Sequence, residues 1–485
     1  MAISEETFFL DPAFEGTLQK QIQTMVAEGI LSGRFRTGEK LPSSRGLARH
    51  LGISRITVTL AYTELQADDY IVSRGRSGYF VSETAPQPRL SGDATPRLDT
   101  VDWDRIAGNR FSALRQVRKP DDWQSFRYPF IYGQADPTLF DHANWRLCAL
   151  QALGQRDFGA MTSDYYERDD PKLVEFIARH SLPRRGILAA PEEILVTLGA
   201  QNALWIASEV LLGSGRTAVI ESPCYPGLSS VLAETGCTTI AIPIDAEGLP
   251  PDRVPPAADV VFTTPSHHCP TSVTMPVDRR RALLARASED DFIVVEDDYE
   301  FEMSFLSPPS PALKSLDREG RVIHVGSFSK SLFPGLRLGY LVGPAAFIRE
   351  ARALRSLLLR HPPGHVQRTA AYFMSLGHYD ALIKRMARAF GKRRKVMATA
   401  IAKAGLVIAG GGDGGSSFWI RAPQGIDTED LALKLREKSV LIEPGAVFFP
   451  QTSPPRNYFR LAYSSISEDR ISDGIRIIAE TMARP

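Results

Sequence analysis

The chain has 485 residues, 43% of them apolar and 23% charged, with a formal net charge of +1. At roughly 100–200 residues per domain, that length implies about three folding units, and the near-neutral balance excludes a whole-molecule field for nucleic acid, so a basic surface has to be local. Cys148, Cys224, Cys237 and Cys269 have neither CxxC nor metal-ligand spacing, so they are expected to be packing residues in a reducing, cytoplasmic setting, with no metal. No run reaches the roughly 18 apolar residues of a membrane span, so no membrane is expected, and the acidic start from Met1 to Asp11 lacks the flank and core of a signal peptide.

In chain order, residues 12–82 form the first expected unit. Leu18, Ile22, Met25 and Val26 recur at helical spacing within Thr17 to Leu31. A second helix fits Ser44 to Leu51, Gly52 and Ile53 make a turn, and Ser54 can cap a third helix running to Asp68. Two helices around a glycine turn form a helix-turn-helix whose second helix is suited to a DNA major groove. Tyr70 to Val72 and Gly78 to Val81 then read as a hairpin with Arg74 and Arg76 at its tip. Between Arg34 and Val81 eight Lys/Arg face four acids, a local charge of +4. Guanidinium groups grip phosphate or a guanine edge through paired hydrogen bonds, although a solvated basic face on a protein-binding unit would have the same charge.

Residues 83–125 read as a linker, with Pro86, Pro88 and Pro96 in its first part. Residues 126–485 follow as an α/β unit. Apolar runs at Ile194 to Thr197, Thr217 to Ile220, Val260 to Thr263, Phe292 to Val295 and Val322 to Val325 alternate with helical stretches, the pattern of a mostly parallel sheet covered on both faces. That large part is expected over 126–364, and a small α+β part over 365–485, with strands near Ser417 to Arg421 and Tyr458 to Tyr463.

Gly326-Ser-Phe-Ser-Lys330-Ser-Leu-Phe-Pro-Gly-Leu-Arg337 follows one apolar strand, and Glu296-Asp297-Asp298-Tyr299 ends another. A lysine flanked by serines, with an arginine seven residues on, supplies an amine for a Schiff base and donors for a phosphate. A carboxylate at a strand's carboxyl end lies where open α/β sheets present ligand groups.

Leu41-Pro-Ser-Ser-Arg45, Leu47-Ala48, Leu51-Gly52, Ser54-Arg55, Thr57-Val58 and the Gly75 to Val81 hairpin resemble the GntR family of winged-helix DNA-binding domains. The resemblance implies that Arg45, Ser54, Arg55 and Thr57 meet double-stranded DNA at the recognition helices, with Arg74, Arg76 and Gly78 in a wing at the minor groove. The second unit resembles fold-type I pyridoxal-phosphate (PLP) aminotransferases, and the order of the two units resembles the MocR/GabR regulators. This implies Lys330 as the Schiff-base lysine, Asp297 at the ring nitrogen, Tyr299 at the ring's phenolic oxygen and Tyr225 stacked on the ring. It also implies Ala200, Gln201, Ser327, Ser329 and Arg337 around the phosphate, and Arg460 forked onto an effector carboxylate. The implied function is a PLP-dependent transcription regulator, probing a small amine or amino acid through an external aldimine and working as a homodimer. The alternative is a working aminotransferase with an appended DNA-binding head.

Four places depart from the family pattern or mislead. Cys269 stands where aminotransferases usually carry asparagine, beside His267 and His268, which either border the pocket or are satisfied by packing. Gly227 stands where the GABA-sensing member has an arginine, which argues against GABA as the effector. Gly410 to Gly415 matches GxGxxG but follows a helix and precedes a strand, so it reads as a flexible turn; Lys392 to Lys395 reads as a solvated helix face.

Overall fold

The computed structural model describes residues 2–86 and 101–483, apart from 115, 118, 135, 166, 307, 412 and 413. It divides into two compact units, Met1–Arg110 and Phe111–Pro485. Much of the expected linker, residues 87–100 with Pro88 and Pro96, lies outside the described residues.

In the N-terminal unit, helices Leu18–Leu31, Ser44–Leu51 and Arg55–Ala67 pack around Ile22, Val26, Leu47, Val58, Tyr62 and Leu65. Ser43 and Ser54 cap the second and third helices by accepting from the Gly46 and Ile56 amides, which satisfies donors a helix start leaves orphaned. Strands Ile71–Ser73 and Tyr79–Val81 pair antiparallel, each beginning one residue later than the sequence suggested. Lys40 adds a third, bridging partner against Phe80. The unit also begins before Pro12: Phe8 is buried in its core against Phe35.

The second unit is built on a seven-stranded sheet. Its order is Ile194–Thr197, Gly339–Val342, Val322–Ser327, Ile293–Asp297, Val260–Thr263, Thr217–Ser222, Thr238–Pro243, and only Gly339–Val342 runs antiparallel to its neighbours. Successive residues alternate between two apolar layers: Val260, Phe262, Val295 and Ile323 join one, and Val261, Val294 and Val322 the other. That period of two, apolar on both faces, is what a sheet sandwiched between helix layers demands. The two strands absent from the sequence reading have weak local signals. Gly339–Val342 lies right after the Lys330 loop, and Thr238–Pro243 is an edge strand with most of its residues exposed.

The C-terminal part carries the 26-residue helix His378–Lys403 and a sheet ordered Val407–Ile408, Ser417–Arg421, Tyr458–Ala462, Glu443–Pro444. Tyr128–Pro129, expected at the start of the large part, instead pairs in parallel with Val440–Leu441, and the Phe130 carbonyl accepts from the Ala462 amide. Two other expectations change. Arg393 is buried, ion-paired with Asp136 and bonded to the Ser464 carbonyl at 2.9 Å, so the basic run is only half solvated. The glycine run is packed at Gly410 and Gly414, where a Cβ would fall 2.3 Å from the Thr271 carbonyl oxygen and 2.2 Å from the Met303 carbonyl oxygen, and open at Gly411; Gly412 and Asp413 lie outside the described residues. No helix among the described residues is long and apolar enough to cross a membrane.

Candidate functional site

On the N-terminal unit, Arg45 and Arg55 are exposed on adjacent helices, with Arg55 Nε 3.5 Å from Ser44 Oγ. Thr57 is half-buried one residue inside the exposed edge of the same helix. Ser54 spends its hydroxyl on the helix cap. Arg74 is exposed, lies over the Phe80 ring at 4.9 Å and pairs with Glu83 at 3.5 Å; the Arg76 side chain is outside the described set. Gly78, at φ +103°, makes the turn back into the second strand. One feature had no charge pattern to announce it: Ile56 and Leu60, one turn apart on the third helix, are 70% and 48% exposed, which leaves an apolar stripe beside the arginines.

In the second unit the strands' carboxyl ends converge on a cavity of about 210 Å³. Every residue the sequence assigned to the cofactor lines it: Ala200, Gln201, Tyr225, Asp297, Tyr299, Ser327, Ser329, Lys330 and Arg337, together with Arg460. Its wall also holds Val117, Lys119, Tyr132, Glu443 and Phe448, none of which the sequence singled out. Lys119 falls in a stretch read as linker, and Glu443 in a short strand with no motif, so neither carries a local signal.

The acidic triplet is sorted by strand alternation and neighbours. Glu296 points away, accepting from the amides of Leu313 and Lys314 and sitting 3.0 Å from His324 Nδ1. Asp298 accepts from Arg185 Nε at 2.6 Å. Asp297 alone faces the cavity, and its buried Oδ1 has no hydrogen-bond partner. Burial, then the charges of Asp298 and Glu221, push its carboxyl up to about 8. Lys330 lies against the Tyr132 ring, 4.4 Å from its centroid. Burial, with repulsion from Lys119 second, brings its ammonium down to about 8. Gly133 makes this placement feasible: it sits at φ +69°, and a Cβ there would lie 2.2 Å from Lys330 Nζ.

At the cavity's other end Gly199, Ser329 and Arg337 crowd one spot, where a Cβ on Gly199 would lie 3.4 Å from Arg337 Nη2 and 3.5 Å from Ser329 Oγ. Helix Ala200–Leu211 begins there with its free amides, which favours an anion. Ser329 Oγ is buried without a partner. Tyr225 donates to Gln201 Oε1 at 3.2 Å, while Tyr299 Oη donates to the His267 carbonyl at 3.0 Å. Gly227 leaves room for the Tyr225 ring, since a Cβ there would come within 2.5 Å of it; an arginine would need that ring to move. An orphaned carboxyl at one end, an orphaned hydroxyl beside a glycine and an arginine at the other, and a reactive lysine between them fit a flat, phosphate-bearing pyridine aldehyde.

His267 and His268 are packing residues. Their Nδ1 atoms lie 3.1 Å from the Glu300 carbonyl and 2.8 Å from Thr271 Oγ1, and burial lowers both pKa values. Cys269 reaches the cavity in the asparagine's place, its thiol pushed up to about 11 by burial. Arg460 Nε donates to Glu443 Oε2 at 2.8 Å, and its guanidinium lies 4.1 Å from the Tyr132 centroid.

Residues 143–478 match the family described as aminotransferase class I and II, and residues 18–81 match bacterial regulatory proteins of the gntR family. The chain is 58% identical to the HTH-type transcriptional regulator TauR of Rhodobacter capsulatus, across 99% of this chain and all of that one. It is 29% identical to the probable rhizopine catabolism regulatory protein MocR of Rhizobium meliloti, across 96% and 94% of the two chains. Among solved structures, the kynurenine aminotransferase of Pyrococcus horikoshii, in complex with PMP, matches with a TM-score of 0.69 and 28% identity, over 78% of this chain and 98% of that one. The cofactor is pyridoxal phosphate, as the class of the second unit and the fit of its cavity both require. The chain belongs to the MocR-type, GntR-family transcription regulators, in which a DNA-binding head is fused to a PLP-dependent unit of aminotransferase class I and II.

Proposed function

We propose that the chain senses a small primary amine or amino acid at Lys330 and answers by changing the affinity of its winged helix for an operator. The observation that carries this is one cavity in which Lys330, at about 8, and the unpartnered Asp297 face each other, on the same chain as an exposed basic helix-turn-helix. When bound, PLP supplies an aldehyde that exchanges reversibly among primary amines. Lys330 holds it covalently; Asp297 keeps the ring nitrogen protonated, which requires that carboxyl to ionise once a cation meets it. Tyr225 covers the ring. Ser327, Ser329, Arg337 and the amides of Ala200 and Gln201 hold the phosphate, and Arg460 binds an acid group on the effector. Tyr299 reaches the phenolic oxygen only by releasing the His267 carbonyl.

On the DNA side, Arg45, Arg55 and Thr57 read the major groove, and the hairpin with Arg74, Arg76 and Gly78 approaches the minor groove. The protein acts as a homodimer on a paired operator. Leu147, Leu150 and Leu153 support this, because they stand 50–59% exposed along helix His142–Ala152 and its end, an apolar row that a second copy would cover. An effector shifts DNA affinity only through different affinities for the two arrangements of the protein.

The test is a gel shift on the DNA upstream of the protein's own gene, with competitor DNA, while amines are titrated and the oxo product is assayed in parallel. An amine that changes operator affinity without sustained turnover supports the regulator. Steady amino transfer to an oxo acid with unaltered DNA binding would establish an aminotransferase with an appended head instead.

A further inference from the structure

Helix Arg55–Ala67 buries one face, with Val58, Ala61, Tyr62 and Leu65 in the core of the N-terminal unit. At about 100° per residue, Ile56, Thr59, Leu60 and Thr63 fall on the opposite side, where Ile56 is 70% and Leu60 48% exposed. The two threonines donate their hydroxyls to their own helix, Thr59 to the Arg55 carbonyl and Thr63 to the Thr59 carbonyl, both at 2.9 Å. Their methyl groups are what they still offer a partner. The outward face of a surface helix is ordinarily polar or charged. On this one, four side chains in a row present methyl groups, with no charge and no free hydrogen-bond donor.

The surroundings point to what covers this face. Arg55 begins the helix, and its Nε lies 3.5 Å from Ser44 Oγ, at the start of helix Ser44–Leu51. Arg45 and Arg49 are exposed on that neighbouring helix, and the stretch from Arg34 to Val81 carries a charge of +4. Methyl groups rimmed by guanidinium groups match a polyanion that also displays apolar groups. The major groove of DNA is such a surface: each thymine projects a C5-methyl group there, within reach of the backbone phosphates, whereas cytosine shows an amino group and no methyl. A second copy of this unit would set the same cations against each other, which like charges disfavour.

We propose that Ile56 is a specificity-determining residue for thymine: it seats against the C5-methyl group of one thymine in the operator, and Leu60 with the threonine methyls extends the contact along the groove. This rests on the reading of helix Arg55–Ala67 as the element that enters the major groove. Arginines fix the helix on phosphates or a guanine edge, and the methyl face selects a T·A pair beneath Ile56.

The experiment uses the full-length, PLP-loaded protein and a duplex selected by the wild type from a random-sequence pool. Each thymine of that duplex is replaced in turn by deoxyuridine, which lacks the C5-methyl group and keeps every hydrogen-bonding group. Gel shifts then give the affinities of wild type, Ile56→Ala and Ile56→Val. Burying one methyl group corresponds to about a threefold to fivefold change in affinity. Wild type is expected to lose that factor at a particular thymine. Ile56→Ala should bind the thymine duplex about threefold to tenfold more weakly and be indifferent to deoxyuridine at that position, the signature of a direct pair in a double-mutant cycle. Ile56→Val, which keeps the branched methyl groups, should retain most of the discrimination. Because Ile56 is exposed, these substitutions leave the core of the unit intact.

A deoxyuridine effect that is absent at every position, or that persists undiminished in Ile56→Ala, overturns the proposal while groove binding by the helix stands. Unchanged affinity of Ile56→Ala for the selected duplex overturns it too, and altered self-association of that variant with DNA binding intact would assign the face to a second copy instead. If wild type selects no sequence from the pool, the groove reading itself fails and this inference fails with it.

Discussion

Arg45 and Arg55 stand on the surface of the N-terminal unit, held there by helices whose own core is apolar and complete. Arg460 and Lys330 in the second unit are enclosed, and each is tuned by groups distant in sequence: Glu443 beside one, Tyr132 and Lys119 beside the other. On the function proposed above, the contrast follows from the ligands. A polyanion as large as DNA comes to the protein and needs solvated, ready charges. A small amine must be drawn out of water, so its site needs buried groups whose pKa values are shifted toward the chemistry.

The sharpest way to break this contrast is to remove one enclosed group and ask whether the exposed surface notices. Lys330→Ala is expected to abolish the covalent cofactor absorbance completely while DNA binding in a gel shift persists; loss of both would mean that PLP is needed for folding or assembly. Next in size is Asp298→Ala, which leaves Arg185 buried and uncompensated. It should cost about 3–5 kcal/mol, read as an earlier denaturant transition of the second unit, with the N-terminal unit's transition unmoved.

Arg55→Ala tests the other side. Losing one base or phosphate fork should weaken operator binding by about 1–3 kcal/mol, roughly fivefold to 150-fold, and cofactor uptake followed by absorbance should be unchanged. The smallest expected effect is a pH profile. Only neutral Lys330 can attach the cofactor, so uptake by the PLP-free protein should accelerate as pH rises through about 8 and level off above it; an ordinary lysine would keep accelerating toward roughly 10.4. A profile still climbing at pH 9 would show that burial does not tune this amine.

The helix-turn-helix was legible because its signals are local: the Ser54 cap, the Gly52 turn, and helical spacing from Leu18 onward all lie within a few residues of what they organise. The stripe of Ile56 and Leu60 escaped because apolar residues on a helix read as core until the packing partner is known. In the second unit Lys330, Asp297 and Arg337 were legible from the two motif strings. The assignment of Lys392 to Lys395 to solvent missed Arg393, whose partner Asp136 is distant in sequence and comes from a different element.

Sequence by itself determined the order of the two units and the strand ends that carry Asp297 and Lys330, because each depends on short-range periodicity or on a contiguous motif, while the other cofactor-cavity residues came from the family resemblance those motifs carry. Tertiary structure alone decided that Asp297, not Glu296 or Asp298, faces the cavity, that Tyr128–Pro129 joins the C-terminal part, and that Lys119 and Glu443 belong to the site. Those outcomes depend on which distant side chains compensate a buried charge, and a buried charge is settled by its three-dimensional neighbours rather than by its neighbours in the chain.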